Sequence, residues 1–195
     1  MKRASFKISA KDPFRYIAAV CALGALFFTL FAIEPTWSVD YVAHSILPEN
    51  NPPDGYRLLF RYNNGISVSA VTNIIAHAAF VVLCLSSFIT NRPWLFTVPM
   101  VLDAAVPVIN NIERGFGINY GFLIELAIIA VYMLTTVGII RTKIPAVVVF
   151  ALYAAGHIFM LVKLGFGYGD AVVQPLVWLG FMMITISLRR EKNSE

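Results

Sequence analysis

Six apolar stretches of about twenty residues dominate this 195-residue chain, at 14–33, 66–89, 94–112, 118–140, 144–162 and 171–188. A hydrocarbon slab about 30 Å thick takes roughly 20 residues of helix to cross. Within it every backbone N–H and C=O has to be paired inside the protein. The pattern therefore predicts an all-α fold, a polytopic membrane helical bundle of six transmembrane helices forming one integral membrane domain over 1–195. Composition agrees, with 58% hydrophobic and 13% charged residues, against about 25% charged in soluble domains. The basic start before the first stretch resembles a signal peptide, but its apolar run is too long and lacks a small-x-small cleavage site, so it is read as span one.

Basic residues are distributed unevenly between the two ends of these spans. Lys2, Arg3, Lys7, Lys11, Arg15, Arg92, Arg141, Lys143, Arg189, Arg190 and Lys192 fall on one side, and Arg57, Arg61, Arg114 and Lys163 on the other. The positive-inside rule then predicts both termini in the cytoplasm of a multi-pass inner-membrane protein, with the long segment 34–65 outside. The lipid bilayer is the first expected partner. Nucleic acid is excluded as one, because the net charge of +4 reflects topology and no soluble basic face exists.

The 34–65 segment carries Trp37, Tyr41 and His44, then Tyr56, Arg57, Phe60, Arg61 and Tyr62. The expectation is two short helices lying in the headgroup layer, anchored by aromatics and arginines. The functional alternative is a lid on which Arg57 and Arg61 present a fork to an anionic group. The external loops 114–121 and 163–170 both place Gly-Phe-Gly after a basic residue and before a tyrosine. Such glycines suit a tight turn, and no strand precedes either loop to make it a phosphate cradle. Cys21 and Cys84 read as small buried hydrophobes. In span one, Ala18, Ala22, Ala25, Thr29 and Ala32 form one stripe of small side chains. It suits close helix packing, either inside the protein or onto a membrane partner subunit through helix 1 at Ala18, Ala22 and Ala25.

Two acids stand inside the spans, Asp103 and Glu125. An ionised carboxylate at mid-membrane costs about 3 kcal/mol on insertion scales and marks a functional site by default. Pro99, Asp103, Pro107, Asn110 and Arg114 share one helical stripe. Pro107 has no N–H for the carbonyl of Asp103, nor Pro99 for that of Leu95, so span three is expected to be kinked, with freed carbonyls. Counting rises puts Asp103 about 14 Å and Glu125 about 10 Å below the external end of their spans. His77 with Asn73, His157 with Tyr153, Tyr132, and Gln174 with Trp178 fall at comparable depth or face the same way. The inner halves of the spans are nearly pure hydrocarbon.

The result expected is an outward-opening polar cavity with an apolar floor. Its candidate ligand- or proton-binding residues are Asp103, Glu125, His77, His157, Asn73, Asn110, Tyr132, Tyr153 and Gln174, with Arg57, Arg61, Arg114 and Lys163 at the rim. Acids at mid-depth beside a freed carbonyl are how transporters coordinate cations and protons. The leading expectation is therefore a solute-binding or transport protein for a small cationic or zwitterionic ligand or a coupling proton. An intramembrane lipid-modifying enzyme would use the same histidines and acids as an acid–base or Zn²⁺ site, although no HExxH spacing exists. A haem-b subunit would use His77 and His157 as axial ligands, and an accessory subunit of a larger complex would use the acids only as internal hydrogen bonders. No cofactor follows from the residues themselves. In size and span number the chain resembles the membrane-embedded substrate-binding subunits of energy-coupling-factor importers. That likeness covers span count only and implies docking on a partner through helix 1.

Overall fold

The computed structural model describes residues 12–31, 61–62, 65–66, 68–113, 121–164 and 169–187. Six helices follow the six apolar stretches: α1 (Pro13–Phe31), α2 (Val68–Ser86), α3 (Thr97–Glu113), α4 (Phe122–Thr136), α5 (Ile144–Leu164) and α6 (Gly169–Ser187). A 3-10 turn at Pro93–Phe96 leads into α3. Four of the apolar segments are long enough to cross a bilayer by length and composition alone, while α4 and the apolar run Val172–Ser187 of α6 are shorter. Val20, Val82, Leu152 and Val162 stand largely exposed on the outer surface, as hydrocarbon-facing positions do. The chain is a multi-pass membrane protein with an all-α bundle.

Each helix packs on its neighbours in sequence, and α1 returns against α6 more extensively than any other pair. The bundle is therefore a closed ring, α1 to α6 in order. Small residues close it. Ala18, Ala22 and Ala25 are fully buried, so the stripe of α1 is used within this chain, and the outward face of the helix is formed instead by Val20, Leu23 and Phe27. On α6, a Cβ added at Gly180 would lie 2.8 Å from Phe80 Cζ, so this glycine is what lets Phe80 reach across from α2.

The end of the ring bearing the termini is tied by polar contacts. Arg15, on the first turn of α1, is 5% exposed. It donates to the carbonyl of Ser87, just past the end of α2, and through Nε to Ser187 Oγ at 2.8 Å, at the end of α6. Ser187 in turn donates to Asp12. Lys143, before α5, donates to the carbonyl of Ile186 at 3.1 Å. These cations sit on the last carbonyls of two helices, which lack intrahelical donors and carry the negative end of the dipole. Above this clasp the ring is filled by rings: Phe80, Phe96, Tyr132, Phe150, Trp178 and Phe181 touch in a continuous aromatic layer.

The structure departs from the sequence reading in three places. Arg61–Tyr62 (β1) pairs antiparallel with Gly65–Ile66 (β2), where a headgroup-layer helix is expected. The helix α4 stops at Thr136 rather than running to 140, because Gly138 takes a φ of 84° and the Ile140 N–H folds back onto the Leu134 carbonyl at 2.9 Å. Pro99 breaks nothing, since it lies in the first turn of α3, where its absent N–H has no partner to lose. The Leu95 carbonyl is instead met by the Thr97 N–H. Pro107 does lie inside α3, leaving the Asp103 carbonyl without an intrahelical donor. Cys21 and Cys84 are buried free thiols.

Candidate functional site

The polar side chains of the interior come from all six helices. Thr29 belongs to α1, Asn73 and His77 to α2, Asp103 to α3, Glu125 to α4, Tyr153 and His157 to α5, and Gln174 and Trp178 to α6. Helical register explains the convergence. Asn73 and His77 are one turn apart, as are Tyr153 and His157, and Gln174 and Trp178, so each pair shares a face. His77 and Asp103 are 1% and 2% exposed, and Asn73 and Glu125 are below 9%.

A chain of contacts runs through four helices. Trp178 Nε1 donates to Gln174 Oε1 at 2.9 Å, which turns the Gln174 amide nitrogen toward Asp103 Oδ1 at 3.4 Å. His77 Nε2 faces the same carboxylate oxygen at 3.3 Å. The other nitrogen of that ring, Nδ1, lies 2.8 Å from Thr29 Oγ1. The Thr29 hydroxyl has a single proton, and it donates to the Ala25 carbonyl at 2.8 Å, so it accepts from His77 and places a proton on Nδ1.

Glu125 has a different environment. Its Oε1 accepts from Tyr153 OH at 2.8 Å, a neutral donor with no charge to offer. The Tyr153 ring meets Trp178 edge-on at 4.8 Å and His157 at 4.7 Å, joining the α4–α5 half of the cluster to the other. Through Tyr153, Trp178 and Gln174, Glu125 is linked side chain by side chain to Asp103. Several buried atoms there have no hydrogen-bond partner: Asn73 Oδ1, His77 Nε2, Asp103 Oδ2, Glu125 Oε2 and His157 Nε2. Buried polar atoms in folded proteins are paired in the great majority of cases. The five belong to side chains of α2, α3, α4 and α5.

Other expected residues lie elsewhere. Tyr132 is not part of the cluster. Two turns beyond Glu125, it sits in the aromatic layer against Phe150 and donates to the Pro93 carbonyl at 2.6 Å, toward the terminal end. Asn110 is half-buried on α3, two turns past Asp103. Lys163 does not line the cluster. It stands 5.7 Å from the ring of Phe159, which is 60% exposed, so its charge is engaged on the outer surface by the ring face. Arg57 and Arg114 lie outside the described residues, as do the side chain of Arg61, most of the 34–65 segment with its expected headgroup-layer helices or alternative lid, and most of the two Gly-Phe-Gly loops.

Sequence reasoning does not assign roles to Thr29 or Arg15. Thr29 fits the small-residue stripe by size, and only its hydroxyl, opposite a histidine on a neighbouring helix, could have separated it. Arg15 counts toward topology, and nothing local shows that it is buried. No three His, Cys, Asp or Glu side chains come together as a metal site among the described residues. No protein-family model, curated protein or solved structure matches the chain.

Proposed function

We propose that this is a membrane solute-binding or transport protein whose interior polar cluster takes a small cationic or zwitterionic ligand, or exchanges a coupling proton. One observation carries the reading. Two carboxylates more than nine-tenths buried, Asp103 and Glu125, are linked through Tyr153, Trp178 and Gln174 inside a ring of apolar helices, each with an oxygen left unpartnered. Keeping such groups in hydrocarbon is costly unless they are compensated, and a cation is the compensation the site lacks.

The aromatic layer and the Arg15 clasp both lie on the terminal side of the cluster, which supports access from the opposite end. With the positive-inside distribution of Lys and Arg, that end is the external one, both termini are cytoplasmic, and the membrane is the inner or cell membrane. The test is uptake and ligand-induced thermal shift with cationic and zwitterionic solutes. Asp103→Asn and Glu125→Gln are expected to abolish both signals, and unchanged uptake and shift in the two variants would refute the proposal.

A further inference from the structure

The class of cation follows from which hydrogen-bonding atoms in the cluster are already used, an argument that rests on reading the cluster as a solute site. The visible donors are committed: Trp178 to Gln174, Gln174 to Asp103, Tyr153 to Glu125 and Thr29 to Ala25. What is left over is largely acceptor. Asp103 Oδ2, Glu125 Oε2 and Asn73 Oδ1 are all buried and unpartnered, beside the ring nitrogens His77 Nε2 and His157 Nε2, and the three oxygens stand on residues 2%, 8% and 7% exposed.

This inventory discriminates among ligands. An anion would meet oxygen with oxygen. A quaternary ammonium brings charge but no N–H, so it would leave every one of these acceptors unpaired, and Trp178, fully buried, has no open ring face to offer it. A primary ammonium brings three N–H donors and one positive charge. The surroundings of the two acids also differ: Asp103 faces His77 at 3.3 Å and Gln174 at 3.4 Å, whereas Glu125 has only the neutral Tyr153 hydroxyl.

We propose that the cluster recognises the primary ammonium group of a small solute, seated between Asp103 Oδ2 and Glu125 Oε2, with Glu125 as its counter-charge and Asp103 as a second acceptor. The experiment is thermal unfolding of the purified full chain at fixed pH and ionic strength, titrated with butylammonium, butyltrimethylammonium, butyrate or NaCl. Butylammonium is expected to stabilise the wild type, with butyltrimethylammonium weaker by roughly tenfold or more, the effect of losing hydrogen bonds to charged groups. Glu125→Gln is expected to lose the butylammonium response. A shift from butyltrimethylammonium or Na⁺ that equals that from butylammonium, and that Glu125→Gln removes, would overturn the ammonium assignment while leaving a cation site in place. No shift from any of the four, or a response to pH alone, would overturn this proposal; if the wider set of cationic and zwitterionic solutes is also silent, the underlying reading falls with it. Where Glu125→Gln does not fold, the ranking of butylammonium against its trimethyl analogue on the wild type decides alone.

Discussion

Asp103 and Glu125 are alike in sequence and unlike in surroundings. The proline stripe makes Asp103 the more conspicuous of the two, yet it is the better satisfied, by His77 and Gln174. Glu125 has only the Tyr153 hydroxyl, and is accordingly the acid that an incoming cation would balance. The support of Asp103 reaches back to Thr29, which fixes His77. Thr29→Val preserves shape and removes the hydroxyl, stranding His77 Nδ1. We expect a loss of about 1–3 kcal/mol of stability, read as a fall in unfolding temperature that Thr29→Ser largely restores. Packing is equally demanding at Gly180, where an added Cβ meets Phe80 at 2.8 Å and 2.9 Å. Phe80 is held from its other side by Phe181, with ring centroids 4.2 Å apart. Gly180→Ala is expected to cost about 1–3 kcal/mol through overpacking, measurable in the same unfolding assay.

At the level of elements, α4 is the exception among the helices. It is 15 residues long because Gly138 ends it in the left-handed region, at a φ of 84°. An added Cβ there would meet nothing within 4 Å. Gly138→Ala should therefore cost about 1–2 kcal/mol from backbone strain alone, in contrast to the steric cost at Gly180. Comparing the two variants, each with a second substitution to Ser, separates the mechanisms: at Gly138 the two side chains should cost about the same, whereas at Gly180 the larger one should cost more.

The same helix shows where sequence reading stops. Hydropathy locates α1 to α6, the helices among the described residues, because length and apolarity are properties of one segment. It runs past Gly138, since a glycine in an apolar run is equally compatible with a helix interior, and only the observed φ distinguishes the two. Asp103, Glu125, His77 and Gln174 are legible as site candidates because polar groups in hydrocarbon are costly wherever they point. Their pairing is not legible, because it depends on which helices become neighbours in the ring. Thr29, Tyr132 and Lys163 illustrate this: the first finds His77 across a helix interface, and the other two are drawn away by the Pro93 carbonyl and the Phe159 ring.

For the whole molecule, ring closure between α1 and α6 divides the interior into a polar layer, an aromatic layer and a basic clasp. Arg15 ties the ends of α1, α2 and α6 together. Arg15→Ala is expected to lower stability by about 1.5–3 kcal/mol, the range for hydrogen bonds to a charged group, and to expose the buried thiol of Cys84, three residues before Ser87, to a thiol reagent applied from the terminal side. An unchanged unfolding temperature and labelling rate would show the clasp to be dispensable. The central claim, that the two acids were buried to hold a cation between them, is tested most directly by a crystallographic map of the protein with the cationic solute that stabilises it most. Density is expected to bridge Asp103 Oδ2 and Glu125 Oε2, with the Tyr153 and His77 contacts retained. Solute density at any other position, or the two carboxyls closed upon each other with nothing between them, would contradict it.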